Sequence, residues 1–482
     1  MIRATLHRFA GRPQNVLALL SFAVYAAYSV SRYQQLLTAG YDLGIFDQVL
    51  RRYAHFQAPI VTLKGPGYNI FGDHFHPILA TIAPLYWIWD DPRVLLIVQA
   101  GLIAISAAIV YRFAARYLSA NVALMVMGAY ALGWPLQALA HFDFHEIAFG
   151  VPLVAWAVDA IDRRSAKELI GSCVLLLLVR EDMGLIVALL ALIALPRVKR
   201  RYCVGLIALG AIGYYLVTSI VLPHFNPAGT FAYWSYDALG PDLPSALKSL
   251  LLHPLHGLNL FFTPSIKSIT LLWLLLPVGF LALGSPYTLC CLPILAERFL
   301  ASRENLWGTK FHYSAILWPF IMLGAIDAAR RLKLLSRETA VRRVAVLMLL
   351  LPVVGTLSYV HLWPLNRAVT GKAFREHAKT EYQYALLKLI PHNTCVEAED
   401  HLASHLTRWN KVIHPTRIPH GEDFIILDVA RETIGYQMPN TLQMNFLARN
   451  LNYTVLAKTG TVLILRRPGY SGPRPECSPT AK

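Results

Sequence analysis

The chain has few charged residues. Only 15% of its 482 residues are Asp, Glu, Lys or Arg, and 56% are hydrophobic, whereas a soluble domain carries about a quarter charged residues. This shortage argues against an ordinary soluble protein. Apolar runs of about 18 residues or more recur instead, and helices are the simplest elements that satisfy their backbone inside hydrocarbon. The composition therefore predicts a polytopic membrane protein.

Cysteine is scarce, and its spacing is not that of a metal site. There are six cysteines, and those in apolar runs are expected to behave as small hydrophobic residues. Cys395 and Cys477 lie in the polar C-terminal part and would pair if it faces an oxidising compartment. The four in apolar runs are Cys173, Cys203, Cys290 and Cys291.

The N-terminus has no small-residue cleavage site ahead of its first apolar run, so we expect an uncleaved anchor that starts in the cytoplasm. The net charge of +16 does not predict nucleic-acid binding. Basic residues cluster in short turns between apolar runs, at 197–201 and 330–333, which is the pattern of positive-inside topology. The expected surroundings are membrane lipids, in a multi-pass protein of the cytoplasmic membrane.

The apolar runs predict about 11 spans. As one helix, residues 167–196 would be about 45 Å long, too long for a hydrocarbon core of about 30 Å. Two short helices that meet at REDMG (180–184) are predicted instead. Residues 74–89 are short for a crossing and are expected to lie at the interface or dip in, although a full crossing stays open. The other predicted spans are 14–37, 93–116, 119–140, 147–162, 200–222, 268–284, 286–300, 312–330 and 340–362.

The composition changes near residue 364. A helical start, EYQYALLKLI, is followed by strand-like runs rich in Val, Ile and Leu. The predicted fold is mainly α, a transmembrane helical bundle over residues 1–363 with a long first outer loop (38–92). A small α/β extracytoplasmic domain is expected over 364–468, and 469–482 is expected to be disordered. The strand-like runs are TCVEAE, DFIILDV, YTVLAKTG and TVLILRR.

Two aspartates, Asp42 and Asp47, follow the first span. On a helix they would be about 140° apart. An aspartate in a dehydrated vestibule can act as a general base toward a hydroxyl. The alternatives are that Asp42 caps the following helix and that Asp47 is simply solvated.

Histidines follow in the same predicted outer loop. His74 and His76 lie beside Asp73 and ahead of Pro77, which is expected to start a helix whose N-terminus favours a phosphate. A divalent metal ion bound by Asp73, His74 and His76 is a second interpretation, although this spacing is unspecific. Structural hydrogen bonding is the third.

Ionisable residues at 145–146 and 180–182 accompany later spans. A charge deep in a bilayer costs on the order of 3 kcal/mol, so Arg180, Glu181 and Asp182 are expected to face protein or water. Arg180 is predicted to pair with an acid from another loop or with a substrate phosphate, and a purely structural ion pair is the alternative. His141, Asp143, His145 and Glu146 are predicted to face a shared cavity with the first loop. The alternative for these four is a merely interfacial position at the end of a span.

Cations also precede the span at 312–330. Arg303, Lys310 and His312 fall on the predicted outer face, against the positive-inside trend. They are predicted to bind a lipid-linked phosphate. The alternative is headgroup anchoring, with Trp307 and Tyr313 in an aromatic belt.

Several of these stretches, in order over residues 41–430, resemble a prokaryotic membrane family known as domain of unknown function 2079. That family is similar to the GT-C superfamily of glycosyltransferases, which have many spans, an acid just after the first helix and polyprenyl-phosphate sugar donors. The resemblance implies that Asp42, with Asp47 second, is the base or holds a metal. The acids of YDLGIFDQ are five residues apart, whereas a directly adjacent pair is familiar at that place in the superfamily. The stretches are YDLGIFDQ, GDHFHPILATIAPLYWIW, DFHEIAFGVPL, REDMGL and VEAEDHLASHLTRW…FIILDV.

The hypothesis is an inverting glycosyl transfer on the outer membrane face. Asp42 would deprotonate a glycan, lipid or protein acceptor, which attacks a polyprenyl-phosphate-linked sugar, and the cations would stabilise the leaving phosphate. A transporter or lipid flippase with a proton relay is a rival, although no internal repeat is found. A non-catalytic assembly factor for envelope polysaccharide is a third hypothesis.

Overall fold

The computed structural model describes residues 12–230, 233–358, 361–375, 378–415, 421–428 and 452–473. The chain is mostly helical and divides into two compact units. The first unit comprises Met1–Ala27, Gly72–Ile78 and Val98–Thr370. The second comprises Tyr28–Phe71, Leu79–Ile97 and Gly371–Lys482. The basic N-terminal segment, up to residue 11, and Cys477 lie outside the described residues.

The helices follow the apolar runs of the sequence. In chain order the α-helices are α1 (Pro13–Gln34), α2 (Ile45–Ala54), α3 (Leu85–Ile88), α4 (Arg93–Ala114), α5 (Ala120–Ala131), α6 (Trp134–His141), α7 (Ile147–Asp162), α8 (Ala166–Leu176), α9 (Met183–Ala194), α10 (Arg200–Leu216), α11 (Leu222–Phe225), α12 (Leu243–Leu252), α13 (Pro254–Phe262), α14 (Ser265–Leu275), α15 (Cys291–Leu300), α16 (Leu317–Arg331), α17 (Glu338–Leu357), α18 (Asn366–Val369), α19 (Ala378–Leu387) and α20 (Asp400–Ala403).

Within the described ranges, five helical segments are long and apolar enough to cross a membrane, by length and composition. A sixth is added if α13 and the segment Ser265–Val278, bent by 72°, count as one span. The predicted total of about 11 included runs that the structure divides into shorter helices. The five segments are Pro13–Gln34, Arg93–Ala114, Ala120–His141, Arg200–Phe225 and Glu338–Leu357.

The run at 167–196 is broken as predicted. α8 ends at Leu176 and α9 begins at Met183, so REDMG lies at the junction of two short helices. Gly184 holds α9 against α10, because a Cβ there would lie 2.4 Å from the backbone oxygen of Gly210. Residues 74–89 form a six-residue 3₁₀ helix, Pro77–Ile82, and the four-residue α3, both shorter than a span.

Buried acids near the ends of α7 and α16 pair with basic residues, which was not predicted from the sequence. Asp159 is fully buried and bonds Arg116 at 2.7 Å and Arg163 at 2.9 Å. Asp327, also fully buried, bonds Arg330 and Arg331, both at 2.6 Å. These arginines therefore pair with carboxylates within the first unit, besides marking topology.

The second unit contains a five-stranded sheet, which confirms the predicted fold class of a helical bundle with a small α/β domain. The strand order is β2-β1-β3-β5-β4, parallel among the first three and antiparallel for β3 with β5 and β5 with β4. Every residue of the apolar run FIILD is buried, as in a central strand. The strands are β1 (Cys395–Ala398), β2 (Lys411–Ile413), β3 (Phe424–Asp428), β4 (Thr454–Thr459) and β5 (Val462–Arg466).

Candidate functional site

Asp42 lies in a π-helical turn, Gly40–Gly44, that runs directly into α2. Leu43 and Val49 anchor this turn and α2, since both are fully buried. Asp42 is half-buried and stands inside the first turn. The N-cap position belongs to Ala39, so the alternative that Asp42 caps the helix is wrong. π-turns are frequent at functional sites.

Asp47 is fully buried, and the alternative that it is solvated is therefore wrong. Its two carboxylate oxygens accept hydrogen bonds from Nη2 of Arg51 at 3.0 and 2.9 Å. The hydroxyl of Tyr86 in α3 donates to the same carboxylate at 2.6 Å, and Arg51 also pairs with Asp90. Asp47 therefore joins α2 to α3, which favours a structural role over that of a base.

The C-terminal domain contacts the turn that carries Asp42. The carboxylate of Asp400, at the start of α20, accepts the backbone N–H of Tyr41 at 2.8 Å. Nε2 of His414 lies 3.2 Å from the same carboxylate oxygen. Nζ of Lys64 donates to the Tyr41 hydroxyl at 2.9 Å. Within the second unit, the segment that follows α1 and the C-terminal domain thus meet at the turn that carries Asp42.

His74 belongs to the first unit, where it pairs with Glu181. Nδ1 of His74 lies 2.7 Å from Glu181, whose other oxygen accepts the backbone N–H of Phe75 at 3.2 Å. The imidazole stacks on Tyr233 with ring centroids 4.5 Å apart, and the Tyr233 hydroxyl donates to Asp73. Burial alone would lower the pKa of His74, but the Glu181 carboxylate prevails and raises it to about 9. His74 is therefore a cation at neutral pH.

Arg180 is held by acids of the same unit. Its guanidinium binds Asp182 through two hydrogen bonds, at 2.7 and 2.6 Å, and lies 4.0 Å from Glu146. Glu297 also contributes to the field around this cation. Arg180 thus pairs with Asp182 of its own stretch, whereas the sequence predicted an acid from another loop; Glu146 is such an acid, at the longer distance of 4.0 Å.

Two predicted histidines come together. The rings of His145 and His312 stack with centroids 3.6 Å apart, and both residues are buried. The backbone N–H of His145 donates to Gln99 at 3.1 Å, which fixes the turn that follows α6. His76 is buried in the same unit.

Arg303 and Lys310 are exposed. The Arg303 guanidinium lies 5.4 Å from the Tyr233 ring centroid, and Lys310 Nζ lies 5.3 Å from that of Phe311. Both are cation–π distances. The structure thus brings Arg303 beside the partner of His74, whereas Lys310 contacts only its own sequence neighbour among the ring contacts described.

Arg298, which was not predicted from the sequence, holds the segment between α15 and α16. Arg298 is buried and donates to the backbone oxygens of Leu306 at 2.8 Å and Gly308 at 3.2 Å, and to Ser314 Oγ at 3.1 Å. Glu297 was missed as well. The signal was present, because two adjacent charges near the end of an apolar run are costly unless they face partners.

No group of three His, Cys, Asp or Glu side chains that could hold a metal ion occurs among the described residues. The proposed ligands point to other partners instead, since His74 bonds Glu181 and Asp73 accepts from Tyr233. His74 and Asp73 of GDHFHP therefore have hydrogen-bonding partners within the protein.

The family described as "Predicted membrane protein (DUF2079)" matches residues 32–463. The chain belongs to this family. No curated protein sequence matches it.

Two structures of ArnT from Cupriavidus metallidurans are similar to the fold of this DUF2079 protein, each at 12% sequence identity. The one bound to undecaprenyl phosphate has a TM-score of 0.54 and is covered over 99% of its length, with 95% of this chain aligned. For the apo structure the TM-score is 0.52, and the alignment covers 98% of the ArnT chain and 95% of this chain. The likeness shows that this chain has the fold of the two ArnT structures, and the family match is to predicted membrane proteins.

Proposed function

We propose that this DUF2079 protein is a membrane glycosyltransferase that moves a sugar from a polyprenyl-phosphate donor to an acceptor hydroxyl. One observation carries the proposal: nearly the whole chain shares the fold of a protein whose structure contains undecaprenyl phosphate. A glycan, lipid or protein is the acceptor class. Fold alone does not determine activity, so the side chains must supply the chemistry.

The phosphate of the donor is assigned to the first unit. His74 is a cation at neutral pH because its pKa is raised to about 9, and Arg180 carries a permanent charge. Both are held in place by carboxylates, at 2.7 Å for His74 and at 2.6 to 2.7 Å for Arg180. Such preorganised cations stabilise a leaving phosphate without reorganising during the reaction. Arg303 and Lys310, which are exposed, are assigned to the approach of the lipid, whereas His312 is buried against His145 and is assigned to the interior of this unit.

The proton transfer is assigned to Asp42. Its carboxylate takes the proton of the acceptor hydroxyl, and the oxygen attacks the anomeric carbon of the sugar. The new carbon–oxygen bond forms as the bond from that carbon to the phosphate oxygen breaks, so the configuration inverts. The electron pair leaves with the polyprenyl phosphate, which needs no general acid. A positioned base of this kind contributes about 10² to 10⁴ in rate.

The reaction is placed on the extracytoplasmic face of the cytoplasmic membrane. Cys395 of the C-terminal domain is disulfide-bonded, and disulfides persist in oxidising compartments. The basic turns at 197–201 and 330–333 would then face the cytoplasm. The C-terminal domain belongs on the side where the acceptor is found.

Donor binding can be tested without knowing the acceptor. Native mass spectrometry of the purified protein would compare retention of undecaprenyl phosphate with that of undecaprenol, which lacks the phosphate. We expect preferential retention of the phosphate lipid by wild type, and its loss in Arg180→Gln and in His74→Gln. Arg112→Gln, which removes an arginine paired with Asp159, is the charge-matched control and should behave as wild type. Equal retention of the two lipids by wild type would contradict the proposal.

A further inference from the structure

We infer that Asp400 of the C-terminal domain is a positioning residue for Asp42, because it caps the turn on which Asp42 stands. The contact is a hydrogen bond of 2.8 Å from the backbone N–H of Tyr41 to Asp400 Oδ1, across 359 residues of sequence. The expected effect of Asp400 on catalysis rests on the proposed function, whereas the hydrogen bond that caps the turn is independent of that function.

The turn needs an acceptor from outside. The first N–H groups of a helix have no partner within it, and a side chain just ahead of the helix usually accepts one of them. Here the preceding residue is Ala39, which has no such side chain. Asp400 supplies the missing oxygen, and its negative charge is favoured at the N-terminal end of a helix. A residue of another domain thus takes the place of a local cap.

Glycine allows the close approach that this contact requires. A Cβ on Gly40 would lie 2.5 Å from the Cβ of Ala403 and 3.1 Å from the backbone oxygen of Asp400. One turn later, a Cβ on Gly44 would lie 2.8 Å from Leu63. A side chain at Gly40 would therefore push the turn away from α20, and a side chain at Gly44 would push it away from Leu63.

A second polar contact fixes the same interface. The hydroxyls of Thr38 and Ser404 lie 3.1 Å apart, and both side chains are buried. The two segments therefore touch at a second place beside the Tyr41–Asp400 hydrogen bond, where Thr38 precedes the turn and Ser404 follows Asp400. The residues on both sides of this contact are closely packed, so the Asp400 carboxylate has no room to move to another position.

Asp400 is itself held firmly. It is 1% exposed and lies directly after β1, at the start of α20. The backbone N–H of Glu399 bonds Ile426 of β3 at 2.9 Å, and the Glu399 side chain accepts the N–H of His401 at 3.1 Å. The sheet thus sets the position of Asp400, and Asp400 sets the position of the turn.

Loss of the cap should free the first turn and misplace Asp42. A displacement of about 1 Å in a reacting group can reduce the rate about 100-fold. Since the donor phosphate is assigned to other residues, the KM for donor should stay within about twofold while kcat falls. A purely structural residue would instead reduce the amount of folded protein and leave kcat per folded molecule unchanged.

Hydrogen exchange and kinetics of the full chain in nanodiscs test this together, with Asp400→Ala, Asp400→Asn and Asp423→Ala. Asp400→Ala should speed exchange of the amides of residues 41–44 about fivefold or more, as expected for a lost cap, and lower kcat. Asp400→Asn keeps an acceptor oxygen and should restore both. Asp423 is another buried acid, bonded to Cys395 N and Arg467, both at 3.2 Å. Its variant should loosen the sheet without affecting residues 41–44.

The readouts separate this inference from the proposed function. Unchanged exchange at residues 41–44 in Asp400→Ala would overturn the capping role, and so would an equal effect of Asp423→Ala. If the exchange result is as expected but the wild type transfers no sugar from any polyprenyl-phosphate donor, the capping stands and the proposed function is overturned.

Discussion

Asp47 and Arg51 form a buried ion pair one turn apart on α2, with Nη2 of the arginine 2.9 and 3.0 Å from the two carboxylate oxygens. Tyr86 donates to the same carboxylate. Asp42, five residues earlier, is half-buried in the preceding turn. Two acids that look alike in sequence thus have different surroundings, and they should respond differently to substitution.

Asp42→Asn should reduce turnover about 10²- to 10⁴-fold, because it removes the proposed base while keeping the size of the side chain. Release of polyprenyl phosphate from donor lipids, followed by mass spectrometry, measures it. Asp90→Asn, which changes an acid of the same unit that pairs with Arg51, should retain turnover. Equal activity of Asp42→Asn and wild type would remove Asp42 from the mechanism.

Asp47→Ala should destabilise the protein by about 3 kcal/mol, since it leaves a mostly buried guanidinium with fewer partners. The pair Asp47→Leu with Arg51→Met, which replaces both charges by apolar groups, should recover part of that loss. Denaturant unfolding in a fixed detergent, corrected for expression level, gives the comparison. A double variant less stable than Asp47→Ala would argue against the buried-charge explanation.

The His74–Glu181 pair should make stability fall as the pH rises. The folded pKa of His74, about 9, lies above the unfolded value of about 6.5. The pair therefore contributes its full stability below about pH 6.5, and this is lost as the pH rises through 9. The loss should be roughly 1–3 kcal/mol, allowing for screening of a partly exposed imidazole.

Thermal unfolding between pH 6 and pH 10 measures this for wild type and His74→Gln. The variant should lose the dependence between pH 6.5 and 9 and be the less stable protein at pH 6. Parallel curves for the two proteins would show that His74 does not carry the effect.

His405 should make the C-terminal domain sensitive to acid. Burial lowers its pKa to about 3, so the folded state holds it neutral while the unfolded state protonates near pH 6.5. Stability from this residue is complete above pH 6.5 and falls as the pH drops toward 3. The ring stacks on Tyr33, 4.1 Å between centroids, and His405→Phe keeps a ring there without a titrating group. It should therefore flatten the melting-temperature profile between pH 7 and 5.

Gly40→Ala should destabilise the chain by about 1–3 kcal/mol, because its Cβ would overlap that of Ala403 at 2.5 Å. Gly205→Ala is the matched control, since nothing lies within 4 Å of the new Cβ in α10. That substitution should be neutral or slightly stabilising, as alanine favours a helix over glycine. Equal melting temperatures for the two variants would contradict the close approach of α20.

Helices and strands were predicted well where the apolar run in the sequence was long. The break at REDMG followed from a length argument alone, and four strands of the C-terminal domain followed from runs of Val, Ile and Leu. β2, Lys411–Ile413, was missed because three residues carry no detectable alternation. In the part of the chain that the structure describes, five or six helical segments are long enough to span, and several other runs counted among the predicted 11 form shorter helices.

The candidate site was less predictable, because its contacts join distant residues. His74 was singled out, but its partner Glu181 lies 107 positions away, and Tyr233 lies in a stretch with no motif. Asp400 lay within one of the stretches used for the family resemblance, yet no local pattern relates it to Tyr41. The sequence shows which charged residues lie beside apolar runs and are therefore costly to bury, whereas their partners are known only from the folded structure.

The Asp400 cap also has a consequence for the timing of biosynthesis. The turn at Gly40–Gly44 leaves the ribosome long before its partner, which follows Tyr41 by 359 residues. At about 5 to 20 residues per second, the interval is roughly 20 to 70 s. During that time the first helices can insert while the N–H of Tyr41 lacks this acceptor. A nascent chain, or one truncated ahead of residue 400, would thus contain the Asp42 turn without the contact that fixes its position.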